Sequence, residues 1–275
     1  MTKAVPKEML PVGTKPLIQF AVEEAVSSGI EEIIFVVAPG RRTIEEYFRR
    51  DLSLETMLEQ HGRREEAERI RSLSCCATFR IVQQDQPLGL GHAVGCARSL
   101  LGGEPFAMIL PDALILACQP CLRQLMNSYE RFRGSYIATR KVGVGDLCRF
   151  GILKIVPVDD SQSEGILYLV KGLVEKPAPE SAPSHFGVFG RYLFEPEIFD
   201  CLEQVRPDRN NEIQITDALA LYCRNFLLYA FCFEGDHYDA GNKLGLLEAS
   251  VAVGLRDPEI GDGCRRFLER VVDRH

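Results

Sequence analysis

The chain has 275 residues, 46% of them hydrophobic and 26% charged, with a net charge of −7 and ten cysteines. That length suits one large α/β domain with ample core material. The acidic balance excludes a nucleic-acid scaffold, which needs a clustered basic surface. No apolar run approaches the ~20 residues that span a bilayer, and cysteines without an export signal point to a reducing, cytoplasmic setting.

In chain order, an opening loop carries Lys7 between Pro6 and Glu8 and leads into a helix predicted over 17–28. The apolar run 33–37 reads as a buried parallel strand. A helix over 43–50 follows, with Thr43 as N-cap and Glu46 completing a capping box. Residues 53–73 predict a solvent-facing helical pair broken near Gly62. A strand at 78–83 leads through the Gly89-Leu90-Gly91 turn to a helix at 92–101. The strand 106–110 ends at Pro111-Asp112, and a helix spans 122–132. Strands are predicted at 136–139, 152–156, 166–174 and 188–193, the last two joined by a proline-rich loop. Helices at 196–204 and 215–223, a strand at 227–233, and helices at 244–254 and 260–272 complete the chain. There is no internal repeat. The βα succession predicts an α/β fold with a mostly parallel, doubly wound, Rossmann-like sheet and helices on both faces. The chain reads as a single domain, 1–275.

Several residues invite a chemical reading. Lys7 sits in a segment with little helical freedom, where its ammonium can be aimed; alone, a lysine is usually surface. Asp112 follows a buried run, at the strand edge where open α/β sheets bind ligands; by spacing alone it is equally a turn or N-cap residue. Asp239 lies in a polar turn ahead of a helix. Gln84 can read a base edge through its amide, and Gly89 lets backbone approach a ligand, although an isolated G-x-G is usually a turn. His92 has no paired carboxylate and reads as structural. Glu175 and Lys176 suit sugar hydroxyls and a phosphate, or simply form an exposed ion pair. Cys118 and Cys121 form a C-x-x-C without a second pair at zinc spacing, so they carry no metal assignment.

Taken together, KEMLP (7–11), GLGHA (89–93), LPD (110–112), VEKP (174–177), EIQITD (212–217) and DAGNKLG (239–245) fall in one order. That order resembles the sugar-1-phosphate nucleotidylyltransferases, most closely the bacterial UTP–glucose-1-phosphate uridylyltransferases. The resemblance implies uridylyl transfer from UTP to glucose 1-phosphate, giving UDP-glucose and pyrophosphate. It implies that Asp112 and Asp239 hold one Mg²⁺ and that Lys7 contacts the reacting phosphates. Gln84 and Gly89 then meet the nucleotide, while Gly151, Glu175, Lys176, Glu212 and Tyr192 form the sugar-phosphate pocket, with Thr216 capping the following helix. The halves 1–140 and 141–275 would take nucleotide and sugar, and a homo-oligomer is expected.

Three departures accompany the resemblance. In the family a first strand and a G-x-G-T-R loop precede KEMLP, and this chain begins after both, so a slot in the sheet and weak turnover are expected. Residues 113–118 are apolar where the family is polar, and Arg140 is basic where a carboxylate is expected. The alternatives are a catalytically silent nucleotide-sugar binding or regulatory homologue, and a transferase for another base or sugar.

Overall fold

The computed structural model describes residues 3–159 and 165–273, so Thr2 of the opening segment lies outside them. A 3₁₀ turn at Lys7–Met9 precedes a small ribbon, β1 (Pro11–Val12) and β2 (Lys15–Pro16), and α1 (Leu17–Ser27). Next come β3 (Glu32–Val37), α2 (Thr43–Phe48), α3 (Leu52–Gln60), α4 (Arg64–Cys75), β4 (Thr78–Gln83) and α5 (Gly89–Cys96). The middle of the chain holds β5 (Phe106–Ile109), β6 (Ala113–Leu116), α6 (Cys121–Arg131), β7 (Ser135–Lys141), β8 (Gly151–Pro157), β9 (Leu167–Glu175) and β10 (Phe186–Phe194). It ends with α7 (Ile198–Leu202), α8 (Ile215–Asn225), β11 (Leu228–Cys232), β12 (Asp236–Asp239), α9 (Lys243–Arg256) and α10 (Gly261–Val272).

Six strands form the main sheet in the order β5-β10-β7-β11-β9-β8. The α/β class is as expected, but the sheet is mixed. β7 and β11 run parallel, whereas β10 is antiparallel to β5 and β7, and β9 is antiparallel to β8 and β11. Periodicity reports burial, not strand direction, which is why the sequence pointed to a mostly parallel sheet. β3 and β4 form a separate parallel pair, and among the described residues neither β3 nor β5 has a strand partner on its second edge.

The helices pack by the stripe their sequences carry. In α1, Leu17, Ala21, Val22 and Ala25 are buried at helical spacing. In α6, Leu122 and Leu125 are fully buried below the sheet. The strand β7 is buried on both faces, with Tyr136, Ile137 and Ala138 inaccessible. Among the described residues no helix is long and apolar enough to cross a membrane.

Local details differ from the sequence reading. Thr43 is the first helical residue of α2 rather than its cap, and Arg42 before it makes no side-chain cap bond. The helix expected from His92 starts at Gly89 and gives way to a 3₁₀ turn at Arg98–Leu100. Gln214, not Thr216, occupies the N-cap position of α8, and the Thr216 hydroxyl is buried without a partner. The apolar stretch after Asp112 is β6, an unforeseen strand that pairs antiparallel with β12. Its Leu114 and Ile115 are buried, which explains the apolar composition.

Candidate functional site

The ribbon β6–β12 builds the centre of the site. Its register sets Asp239 opposite Ala113, so Asp112 and Asp239 come together from segments far apart in sequence. Backbone bonds lock the junction: Ala240 N donates to Asp112 O at 2.8 Å. A Cβ built on Gly241 would lie 3.0 Å from Asp239 Oδ1 and 3.2 Å from Asp112 Oδ2, so both carboxylates face one small space beside Gly241. Asn242 holds Asp239 in place by donating from Nδ2 to its carbonyl and to Oδ2, each at 3.0 Å.

Each carboxylate carries a cationic side chain. Lys7 Nζ donates to Asp112 Oδ2 at 2.6 Å. The lysine is aimed by its 3₁₀ turn, in which Met9 N donates to Pro6 O and Leu10 N to Lys7 O. Arg149 Nη2 donates to Asp239 Oδ2 at 2.9 Å, and its bonds to Asp239 and Asp146 push its own pKa upward. Sequence reasoning missed Arg149, although it stands two residues before Gly151. Two hard oxygen donors with exposed counterions suit a divalent cation that completes its shell with phosphate and water. Among the described residues no cluster of three or more His, Cys, Asp or Glu could hold a metal by itself. Next to Asp239, His237 is packed edge-on against Phe189, and burial pushes its imidazole down to about 4, so it is neutral near pH 7.

A second group adjoins the first through the chain. Gly151 pairs with Glu175 across β8 and β9, and a Cβ on Gly151 would lie 3.2 Å from both Glu175 Oε2 and Thr216 Cγ2. Lys176 N donates to Phe150 O at 3.1 Å, and Lys176 Nζ stands 3.2 Å from Glu175 Oε1. Lys176 adopts a φ of 43°, a left-handed conformation that a lysine holds only at a cost of about 1–3 kcal/mol. Tyr192 was expected at the sugar wall. It is 3% exposed and stacks on Phe194 at 5.3 Å in the main core, so it is a core residue beneath the site. It lies near enough to Glu175 to feel its charge.

The third group is the loop 84–91. Gln84 Nε2 donates to Gly89 O at 3.0 Å, and His92 Nδ1 is also 3.0 Å away. A carbonyl only accepts, so the amide nitrogen must face Gly89, and Nδ1 is then the acceptor. This leaves the Gln84 oxygen directed elsewhere, and it makes His92 the structural partner that the sequence suggested. The loop is zipped to the segment before α8: Ile213 N donates to Leu88 O at 2.7 Å and Gly91 N to Ile213 O at 2.8 Å. Gly89 has a φ of +89°, and a Cβ there would meet Glu212 Cβ at 2.9 Å. Glu212 is turned toward Gln214, whose Nε2 donates to its Oε2 at 3.0 Å.

A cleft of about 360 Å³, lined by Lys7, Glu8, Ala38 and Arg41 among others, opens at the carboxyl end of β3. That is the edge at which open α/β sheets take ligands. Lys7 thus borders both the cleft and the paired aspartates.

Residues 1–254 match the nucleotidyl transferase family. A UTP–glucose-1-phosphate uridylyltransferase of Bacillus subtilis (strain 168) is 42% identical over 273 residues, which are 99% of this chain and 92% of that protein. A UDP-glucose pyrophosphorylase complexed with UDP-glucose superposes with a TM-score of 0.82 at 37% identity, covering 93% of this chain and 92% of that one. A UTP-bound UGPase from Acinetobacter baumannii gives a TM-score of 0.88 at 34% identity, over 97% and 92% of the two chains. With paired carboxylates at a strand edge, a lysine against them and this similarity along nearly its whole length, the chain belongs to the nucleotidyl transferase family.

Proposed function

We propose that the chain transfers a uridylyl group from UTP to glucose 1-phosphate. The phosphate oxygen of the sugar attacks the α-phosphorus in line, the bond to the bridging α–β oxygen breaks, and pyrophosphate leaves. Such a displacement needs positioning and charge stabilisation more than covalent help. The observation that carries the reading is the convergence of Asp112 and Asp239 on Gly241.

In this reading residues 1–140 take the nucleotide and 141–275 the sugar. Gln84 and Gly89 meet the base, and Lys7 turns from Asp112 to the reacting phosphates. Gly151 and Glu175 meet the sugar hydroxyls, with Glu212 supporting the pocket, and Lys176 offsets the sugar phosphate. Asp112 and Asp239 would hold Mg²⁺, which supplies charge neutralisation on the triphosphate when bound. Lys7 and Arg149 then release these carboxylates to it. A cytoplasmic setting and a homo-oligomer belong to the same reading, the second supported by the exposed apolar residues Leu247, Ile260 and Phe267 on and beside the last two helices.

The test is pyrophosphate release from UTP and glucose 1-phosphate by the full chain with Mg²⁺, run beside calorimetric binding of UDP-glucose. Turnover with UTP above that with CTP or dTTP supports the proposal. Binding of UDP-glucose with no release under any condition replaces it with a silent nucleotide-sugar binding protein.

A further inference from the structure

Arg191 is among the largest fully buried side chains, 2% exposed, yet it belongs to none of the three groups above. It follows Gly190 in β10, directly behind the turn that carries Asp112. That turn is closed by Ala113 N donating to Leu110 O at 3.2 Å, with Pro111 and Asp112 at its tip. Arg191 Nη1 donates to Ala113 O at 2.6 Å and to Leu110 O at 3.1 Å. One nitrogen therefore grips the carbonyls on both sides of Asp112. Gly190 permits the approach: its φ is +68°, and a Cβ there would lie 3.0 Å from Ala113 Cβ and 3.1 Å from Leu110 Cβ.

The other end of the guanidinium is fixed as firmly. Its Nη2 donates to Glu24 Oε2 at 2.7 Å and its Nε to both Glu24 oxygens at 3.1 Å. Glu24, on α1, is 8% exposed at its side chain and also accepts from Leu122 N at 3.0 Å at the start of α6. A buried ion pair is a poor source of net stability, because desolvation offsets most of the attraction. Its directional bonds fix geometry instead, and here they end on the backbone of one turn.

We propose that Arg191, anchored by Glu24, is a positioning residue that aims the Asp112 carboxylate and so sets the affinity of the cation site. The proposal rests on the reading of Asp112 as a cation ligand. Groups that orient a ligand from behind typically change metal affinity by roughly 10–100-fold when altered. Lysine in place of arginine keeps the charge and loses the fork that spans Glu24 and the turn.

The experiment titrates Mn²⁺ into the full chain and follows the electron paramagnetic resonance signal of the free ion, with folding checked by circular dichroism. Arg191→Lys and Glu24→Asp are expected to weaken Mn²⁺ binding about ten-fold. They should raise the Mg²⁺ concentration for half-maximal turnover by a similar factor, with a much smaller change in kcat at saturating Mg²⁺. Asp112→Asn should remove most of the Mn²⁺ binding; if it does not, the cation reading fails and the proposal falls with it. If Asp112→Asn acts as expected while the two clamp variants fold and bind Mn²⁺ like the parent, only the clamp is overturned. Glu24→Asp keeps the charge pair and decides the matter alone if Arg191→Lys does not fold.

Discussion

The β3–β4 pair and the six-stranded sheet use similar apolar residues but are held together differently. In the large sheet Ile137, Ile152, Leu153 and Ala230 are fully buried, and residues of α5, α7 and α8 share one core cluster with Ile137, Leu153 and Ala230. In the small pair the core contracts to Phe35 and Val37 and a cluster in which Phe48 lies 5.2 Å from Phe35 and 4.9 Å from Phe79. The helices beside it are tied by charge: Arg50 Nε donates to Glu55 Oε1 at 2.9 Å and Arg71 Nε to Glu55 Oε2 at 3.0 Å. Two strands cannot bury both faces, so a covering layer and ion pairs must do more. The candidate site lies where the regions meet. Gln84 follows β4 and the cleft borders β3, whereas Asp112 and the Glu175 group come from the larger sheet.

If the chemistry belongs to this seam rather than to either region, removing a carboxylate should stop turnover without unfolding either part. Asp112→Ala and Asp239→Ala are each expected to reduce kcat by about 10³-fold, comparable to losing a key electrostatic contact in a transition state. Unchanged circular dichroism with lost pyrophosphate release would bear this out, and parental rates would remove both residues from the mechanism. The stability contrast is the next test. Ile137→Ala should cost about 3–4 kcal/mol in urea unfolding, since the site cannot collapse around the lost methyls. Val37→Ala should cost roughly half as much, with two carbons removed from a smaller cluster. Equal losses would erase the distinction between the regions.

Acid, compared between the parent and a Glu55 variant, offers a way to address the smaller region. The hydrogen bond from Arg50 holds Glu55 below the usual carboxylate range. A lowered folded pKa means that its stabilisation is complete above the unfolded value, 4.5, and is lost as pH falls through the folded one. Melting temperature should therefore show an acid-side drop below about pH 4.5 that is reduced in Glu55→Gln. An identical profile in the variant would assign the drop elsewhere. The smallest effect is expected for Arg80, which pairs with Glu32 across β3 and β4 at 2.7 Å, with both partners well exposed. Arg80→Ala should change stability by less than about 1 kcal/mol, and a larger loss would show that charge matters even at the rim of the pair.

Much of this was legible in the residues themselves. An apolar run ending in Pro-Asp put Asp112 just past a strand end, whereas Asp239, expected in a polar turn ahead of a helix, closes the strand β12. The six segments in family order joined them. Other features were hidden for physical reasons. β6 pairs with Asp236–Asp239, a segment of polar and aromatic residues whose strand state is set by its distant partner. Tyr192 lies in a strand buried on both faces, where alternation cannot sort pocket from core. Thr43, read from a capping-box pattern, and Thr216, a cap by resemblance, both sit inside their helices, because a capping preference of about 1 kcal/mol does not by itself fix where a helix begins. The Arg191–Glu24 pair joins residues 167 positions apart, beyond the reach of any local pattern.

Gly245 carries a consequence for how the site moves. A Cβ at that position would stand 2.0 Å from the carbonyl oxygen of Asp239, so the first turn of α9 rests on the aspartate with no side chain between them. Asn242 completes the join by accepting from Gly245 N at 2.9 Å while holding Asp239. Main chain pressed on main chain has no rotamer to yield. The start of this helix and the second carboxylate must therefore shift as one stiff unit, and even alanine, a single methyl larger, would prise them apart.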